Sequence, residues 1–177
     1  MIWQLLLNVF VDLSFIALPI FWLARKERNF KAVFEKLGFR KAKLWHLIQR
    51  TGILLLLMFA VSIWMSLALN WLGLNDLGLV SESLERSMDI LPLFFWIVIL
   101  RVISEEIFFR GFLVTKFGAL PSSLIFAAAH FGYGSVAEIL GVFVLGYILA
   151  KAFQLNKNLY PNIIAHGLYN AMALAAM

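Results

Sequence analysis

Cysteine is absent from the chain, which removes disulfides, thiolate zinc sites and cysteine nucleophiles. Charge is scarce as well: 14% of residues are charged, against about 25% in a typical soluble domain. Internal repeats and low-complexity stretches are missing, so neither a solenoid nor a disordered linker is expected. The N-terminus lacks a basic leader and a small-residue cleavage site, and its apolar run is too long for a signal peptide, so it is read as a retained first span. What is present is hydrophobic. Apolar side chains make up 63% of the 177 residues and mean hydropathy is +0.89. That composition is a polytopic membrane protein, and the length suits one helical bundle without a second domain.

The net charge of +5 does not point to nucleic acid, because nine of the fifteen basic residues fall between Arg25 and Arg50. A basic stretch beside an apolar span is a cytoplasmic segment facing anionic lipid.

A spanning helix needs about 20 apolar residues, and the expected fold is an all-α transmembrane bundle of about six spans. The first runs from Ile2 to Ala24. Phe30 to Arg50 reads as an interfacial amphipathic segment interrupted at Gly38, with His46 on its surface. The second span is Gly52 to Leu72, followed by a polar loop from Gly73 to Ile90. The third covers Leu91 to Phe117, and the short fourth covers Ala119 to Phe131 with Pro121 in its first turn. The fifth is Val136 to Phe153, and the sixth starts near Leu159. With Arg25–Arg50 inside, the Gly73–Ile90 loop lies outside, and Lys116, Lys151 and Lys157 fall inside, in accord with the positive-inside rule.

Charged and polar groups inside such spans are costly and mark function by default. Three clusters occur. Glu106 and Arg110 are four apart, share a helix face and can pair. Glu105 sits about 100° around the helix, leaving one carboxylate neutralised and the other available for proton transfer. Arg101, four before Glu105, complicates that division. A structural ion-pair ladder is the competing reading. The second cluster is Phe126 with His130. The third is His166 with Asn170, a spacing that suits metal ligation or two-sided binding of one substrate group, or plain helix–helix hydrogen bonding. At about 1.5 Å of rise per residue, Glu105, His130, His166 and Asn170 all lie roughly 10–16 Å from the cytoplasmic edge. One buried, water-accessible site accounts for that agreement. Ser104, Ser122 and Ser123 have no histidine at motif spacing, which argues against a serine nucleophile.

In order, the clusters read Glu105-Glu106-Ile-Phe-Phe-Arg110, Phe126-Ala-Ala-Ala-His130 and His166-Gly-Leu-Tyr-Asn170. This pattern resembles the CAAX protease and bacteriocin-processing (Abi) family of intramembrane endopeptidases, from about Leu91 to the end. The chain is short beside family members with eight spans. The resemblance implies a membrane-embedded catalytic core at about 91–177 in which Glu105 and His130 activate a water. His166 and Asn170 would stabilise the oxyanion, and Glu106, Arg110 and Phe126 would support the site. It implies a membrane-anchored or C-terminally tagged protein substrate in the lipid bilayer of a bacterial inner membrane. No cofactor is expected; a Zn²⁺ version would use Glu105, His130 and His166. A non-catalytic immunity or scaffold protein of the same architecture is the main alternative. A proton-coupled carrier is disfavoured, because no inverted repeat or paired broken helices are visible.

Overall fold

A computed structural model describes residues 2–27, 29–85 and 96–175. These residues form helices and connecting turns, with no strand among them. Four helices precede the site: α1 (Ile2–Ala24), α2 (Phe30–Leu37), α3 (Leu44–Trp71) and α4 (Gly78–Glu85). The fifth, α5, is built from consecutive segments Trp96–Arg101, Val102–Glu105, Glu106–Val114 and Thr115–Phe117. Then come α6 (Ala119–Ala129), α7 (Val136–Asn156) and α8 (Tyr160–Ala175).

Among the described residues, three helices are long and apolar enough to cross a membrane: Leu6–Ala24, Leu44–Trp71 and Val136–Asn156. They keep large apolar side chains such as Phe10, Leu56, Trp64 and Leu67 on the outside, where a soluble protein would bury them. The chain is thus a helical membrane protein. The six-span expectation is met only in part. α6 has 11 residues and α8 has 16, both short of a full crossing, and positions 91–95 of the expected third span lie outside the described residues.

Two boundaries differ from expectation. The expected second span begins earlier, because Leu44–Arg50 is the first part of α3 and not the tail of an interfacial helix. Within the polar loop, Gly78–Glu85 is helical; its positions 86–90 lie outside the described residues. The amphipathic α2 ends where expected, at Gly38, whose φ of 100° is a left-handed cap that glycine adopts without a steric penalty. Its buried face, however, is turned to protein and not to lipid. Val33 and Leu37 are buried with Ile107, Val114, Phe153 and Leu159, while Phe30 and Phe34 stay exposed. The chain can approach this closely because α5 carries Gly111, where a Cβ would stand 2.7 Å from the Leu37 carbonyl. The Gly38 carbonyl then accepts the Leu159 amide at 2.9 Å, and Asn158 donates to the Arg40 carbonyl at 2.9 Å. This closes the basic end of the bundle.

At the other end, Asp76 caps α7 from a distance. Its carboxylate accepts from the Ser135 hydroxyl at 2.6 Å and from the Val136 and Ala137 amides at 2.9 and 3.0 Å. A negative group on the exposed amides of a helix N-terminus is doubly favoured, by hydrogen bonds and by the helix dipole. The Ser135 hydroxyl, followed by the Ala137 and Val136 amides, holds the Asp76 carboxyl below the usual carboxylate range.

Candidate active site

Two of the segments of α5 are π-helical, Trp96–Arg101 and Glu106–Val114, and a short α-helical stretch carrying Glu105 separates them. Wide helical turns of this kind are rare and concentrate at functional sites. Here they set adjacent carboxylates to separate tasks. Glu105 accepts from Arg101 Nε at 3.2 Å, and Glu106 pairs with Arg110 at 3.0 Å. The i,i+4 pairing of Glu106 with Arg110 is therefore present. The complication expected from Arg101 is also present, because it pairs with Glu105. The two pairs differ in setting. Glu106 and Arg110 are wholly buried, whereas the Arg101 side chain is 30% exposed and lines a cavity together with Glu105.

That cavity, of about 420 Å³, is lined by Glu105, Phe126, His130, His166 and Asn170 together with Arg101. Side chains from α5, from α6 and its C-terminal end, and from α8 thus face one space. His130 is not inside a helix; it is the residue that ends α6. Its Nδ1 lies 2.9 Å from the Phe126 carbonyl. A carbonyl only accepts, so Nδ1 carries the proton and Nε2 is the basic nitrogen of the neutral ring. His166 is held differently. Its Nδ1 lies 2.9 Å from Glu106 Oε1, a side-chain carboxylate on another helix. Glu106 is the hub of the buried layer, since its Oε2 also accepts from Asn162 at 3.2 Å, and Asn162 donates further to the Leu149 carbonyl at 2.8 Å.

Phe126 separates the two layers. The Arg110 guanidinium carbon lies 4.1 Å from its ring centroid, a cation–π contact. On its other sides stand His130 at 4.7 Å and His166 at 6.3 Å. Gly146 on α7 makes room for this stack, because a Cβ there would lie 2.8 Å from Phe126 Cδ1. Arg110 Nη2 also reaches the Gly146 carbonyl at 3.5 Å.

Sequence reasoning missed several members. Asn162 lies four before His166, so the polar face of α8 repeats at 162, 166 and 170, a pattern available from spacing alone. Asp12 is the lone acidic residue of the first apolar run; the same cost argument applied to α1 would have found it. It is buried, and its Oδ1 lies 2.9 Å from the Ser104 hydroxyl, which ties α1 to the residue next to Glu105. Glu138 lines the cavity, and Tyr169 is bonded to Ser62 at 2.7 Å on its wall. The serines are occupied structurally: Ser122 donates to the Phe109 carbonyl and Ser123 to the Ala119 carbonyl. Among the described residues no three His, Asp or Glu side chains come together as a metal-holding group.

Residues 87–172 match the profile of the family described as type II CAAX prenyl endopeptidase Rce1-like. A relative from Bacillus subtilis (strain 168), the uncharacterized protein YpbD, is 31% identical over 100 residues, covering 56% of this chain and 52% of the relative. The chain thus spans about half the length of that relative. No solved structure matches. The profile match takes in every residue the three motifs singled out, from Glu105 to Asn170, and over this stretch the chain is similar to the Rce1-like CAAX endopeptidase family.

Proposed function

We propose that the protein is an intramembrane endopeptidase of a bacterial inner membrane. It hydrolyses a peptide bond in a membrane-associated protein by direct attack of water, with α5, α6 and α8 embedded in the bilayer beside the three long spans. Glu105 and His130 take the proton as the water oxygen attacks the carbonyl carbon. His166 Nε2–H and the Asn170 amide receive the resulting oxyanion. The carbon–nitrogen bond then breaks, and the departing amine takes up the proton that the water lost. Glu106, anchored by Arg110 and Asn162, keeps His166 oriented, much as the buried aspartate of a catalytic triad orients its histidine.

The observation that carries this reading is the shared cavity. Four polar side chains remote in sequence line one space, two of them with histidine nitrogens held by acceptors of different kinds. Comparative proteomics of membrane fractions tests it. Glu105→Ala and His130→Ala should leave the protein folded and abolish trimming of one membrane protein's terminus; normal processing by both variants rejects the reading.

The Arg101–Glu105 pair favours a second reading, an ion-paired scaffold that protects or assembles a partner without catalysis. Glu105→Gln separates the two, since a scaffold keeps its function and a protease loses it.

A further inference from the structure

Most of the basic residues lie at the opposite end of the bundle from the residues that complete the cavity wall; Arg101, which lines the cavity, is an exception. Besides Arg25–Arg50, Lys116 lies in the last segment of α5, and Lys151 and Lys157 lie in the C-terminal part of α7 and just past its end, all towards the α2, α5–α6 and α7–α8 end. That end is sealed: Leu37, Val114, Ala119, Phe153 and Leu159 are buried in one cluster there. None of these residues lines the cavity. At the opposite end the cavity wall is completed by Leu69 from the end of α3, Leu77 and Val80 around the start of α4, Glu138 from the first turn of α7, and Leu174 from the end of α8. Asp76 and Glu82 belong to the same end; across 72–90 the sequence carries one basic residue, Arg86, against four acidic ones, and 131–150 carries no lysine or arginine. An excess of lysine and arginine on short connections marks the cytoplasmic side.

We infer that the cavity opens to the non-cytoplasmic face and admits its substrate from there. The substrate class is then a membrane-anchored or exported polypeptide whose scissile bond lies in the outer half of the bilayer or just beyond it. A cytoplasmic C-terminal tail meets the sealed end. The choice of substrate rests on the protease reading above; the direction of opening does not.

The chain has no cysteine, so single cysteines report accessibility without background. Ser81→Cys and Ala173→Cys place a thiol on the cavity wall, and Lys41→Cys places one at the sealed end. A membrane-impermeant maleimide applied to intact cells should label Ser81→Cys and Ala173→Cys as fully as after permeabilisation. Lys41→Cys should gain its label only on permeabilisation. The reverse pattern overturns the inference. In parallel, every cleavage lost in Glu105→Gln membranes is mapped on the topology of the protein cut. Bonds on the outer side support the inference, and bonds on the cytoplasmic side overturn it. Outside labelling with no Glu105-dependent cleavage rejects the protease reading and leaves the outward opening standing.

Discussion

Replacing Gly146 by alanine tests whether the Phe126 stack is as tight as its distances say. The added methyl would lie 2.8 Å from Phe126 Cδ1, and ordinary carbon contacts begin at about 3.5 Å, so ring and helix must separate by about 0.7 Å. The ring has little freedom to give way. It is buried and held by Phe109 at 4.8 Å, His130 at 4.7 Å and Arg110 at 4.1 Å, and Cδ1 lies near its root. Alanine gains about 0.5–1 kcal/mol over glycine in a helix interior, while overpacking a tight site costs about 1–3 kcal/mol. The expected net loss is about 1–2 kcal/mol. In a Phe126→Leu background the clash disappears and the same substitution becomes neutral or slightly stabilising. Denaturant unfolding in detergent micelles, followed by tryptophan fluorescence, reads all four proteins of the cycle. A coupling energy within about 0.5 kcal/mol of zero refutes the packing argument. Where a cleavage assay exists, Gly146→Ala should also slow turnover, because the Phe126 carbonyl fixes the His130 ring.

The buried and cavity-lining ion pairs should respond differently. Glu106→Ala strands the buried Arg110 and should cost about 3–5 kcal/mol, whereas Glu105→Gln, beside a partly exposed Arg101, should cost about 1 kcal/mol or less; thermal unfolding in detergent separates the two. Gly111→Ala drives a methyl against the Leu37 carbonyl, a backbone atom that cannot rotate aside, and should loosen α2 at a cost of about 2–3 kcal/mol, seen as faster proteolysis between Gly38 and Lys43. Acid should release the Asp76 cap. Its carboxyl sits below the ordinary range when folded, so its stabilisation is complete above the unfolded pKa and is lost as pH falls through the folded one. Hydrogen exchange at Val136 and Ala137 should accelerate over that acidic interval in the wild type, and Asp76→Asn should remove the pH dependence.

Local spacing carried the sequence reading well. Arg101 to Glu105, Glu106 to Arg110 and Phe126 to His130 are all four-residue relations, and each appears as a contact. Contacts between elements were another matter. The His166–Glu106 bond joins residues 60 apart and the Ser104–Asp12 bond joins residues 92 apart, and no pattern along one helix encodes which helix will face it. The π-helical turns of α5 were also hidden, because hydrophobic periodicity assumes 3.6 residues per turn. For α2 the pattern gave amphipathicity correctly and the environment wrongly. Val33 and Leu37 would look the same whether they met lipid or Gly111; the absent side chain at 111 decides it.

The brevity of α6 has a consequence for the surrounding lipid. Eleven residues span about 16 Å, roughly half of a 30 Å hydrocarbon core, so an α6 embedded as proposed would turn back at His130 while still at bilayer depth. Acyl chains beside α6 must shorten, tilt or leave polar backbone unmet, at a cost of fractions of a kcal/mol per Å of mismatch. Bilayer thickness thereby becomes a control variable of the protein. In short-chain lipids the turn at His130 would reach water readily; in long-chain lipids it would be submerged, without any change in the residues.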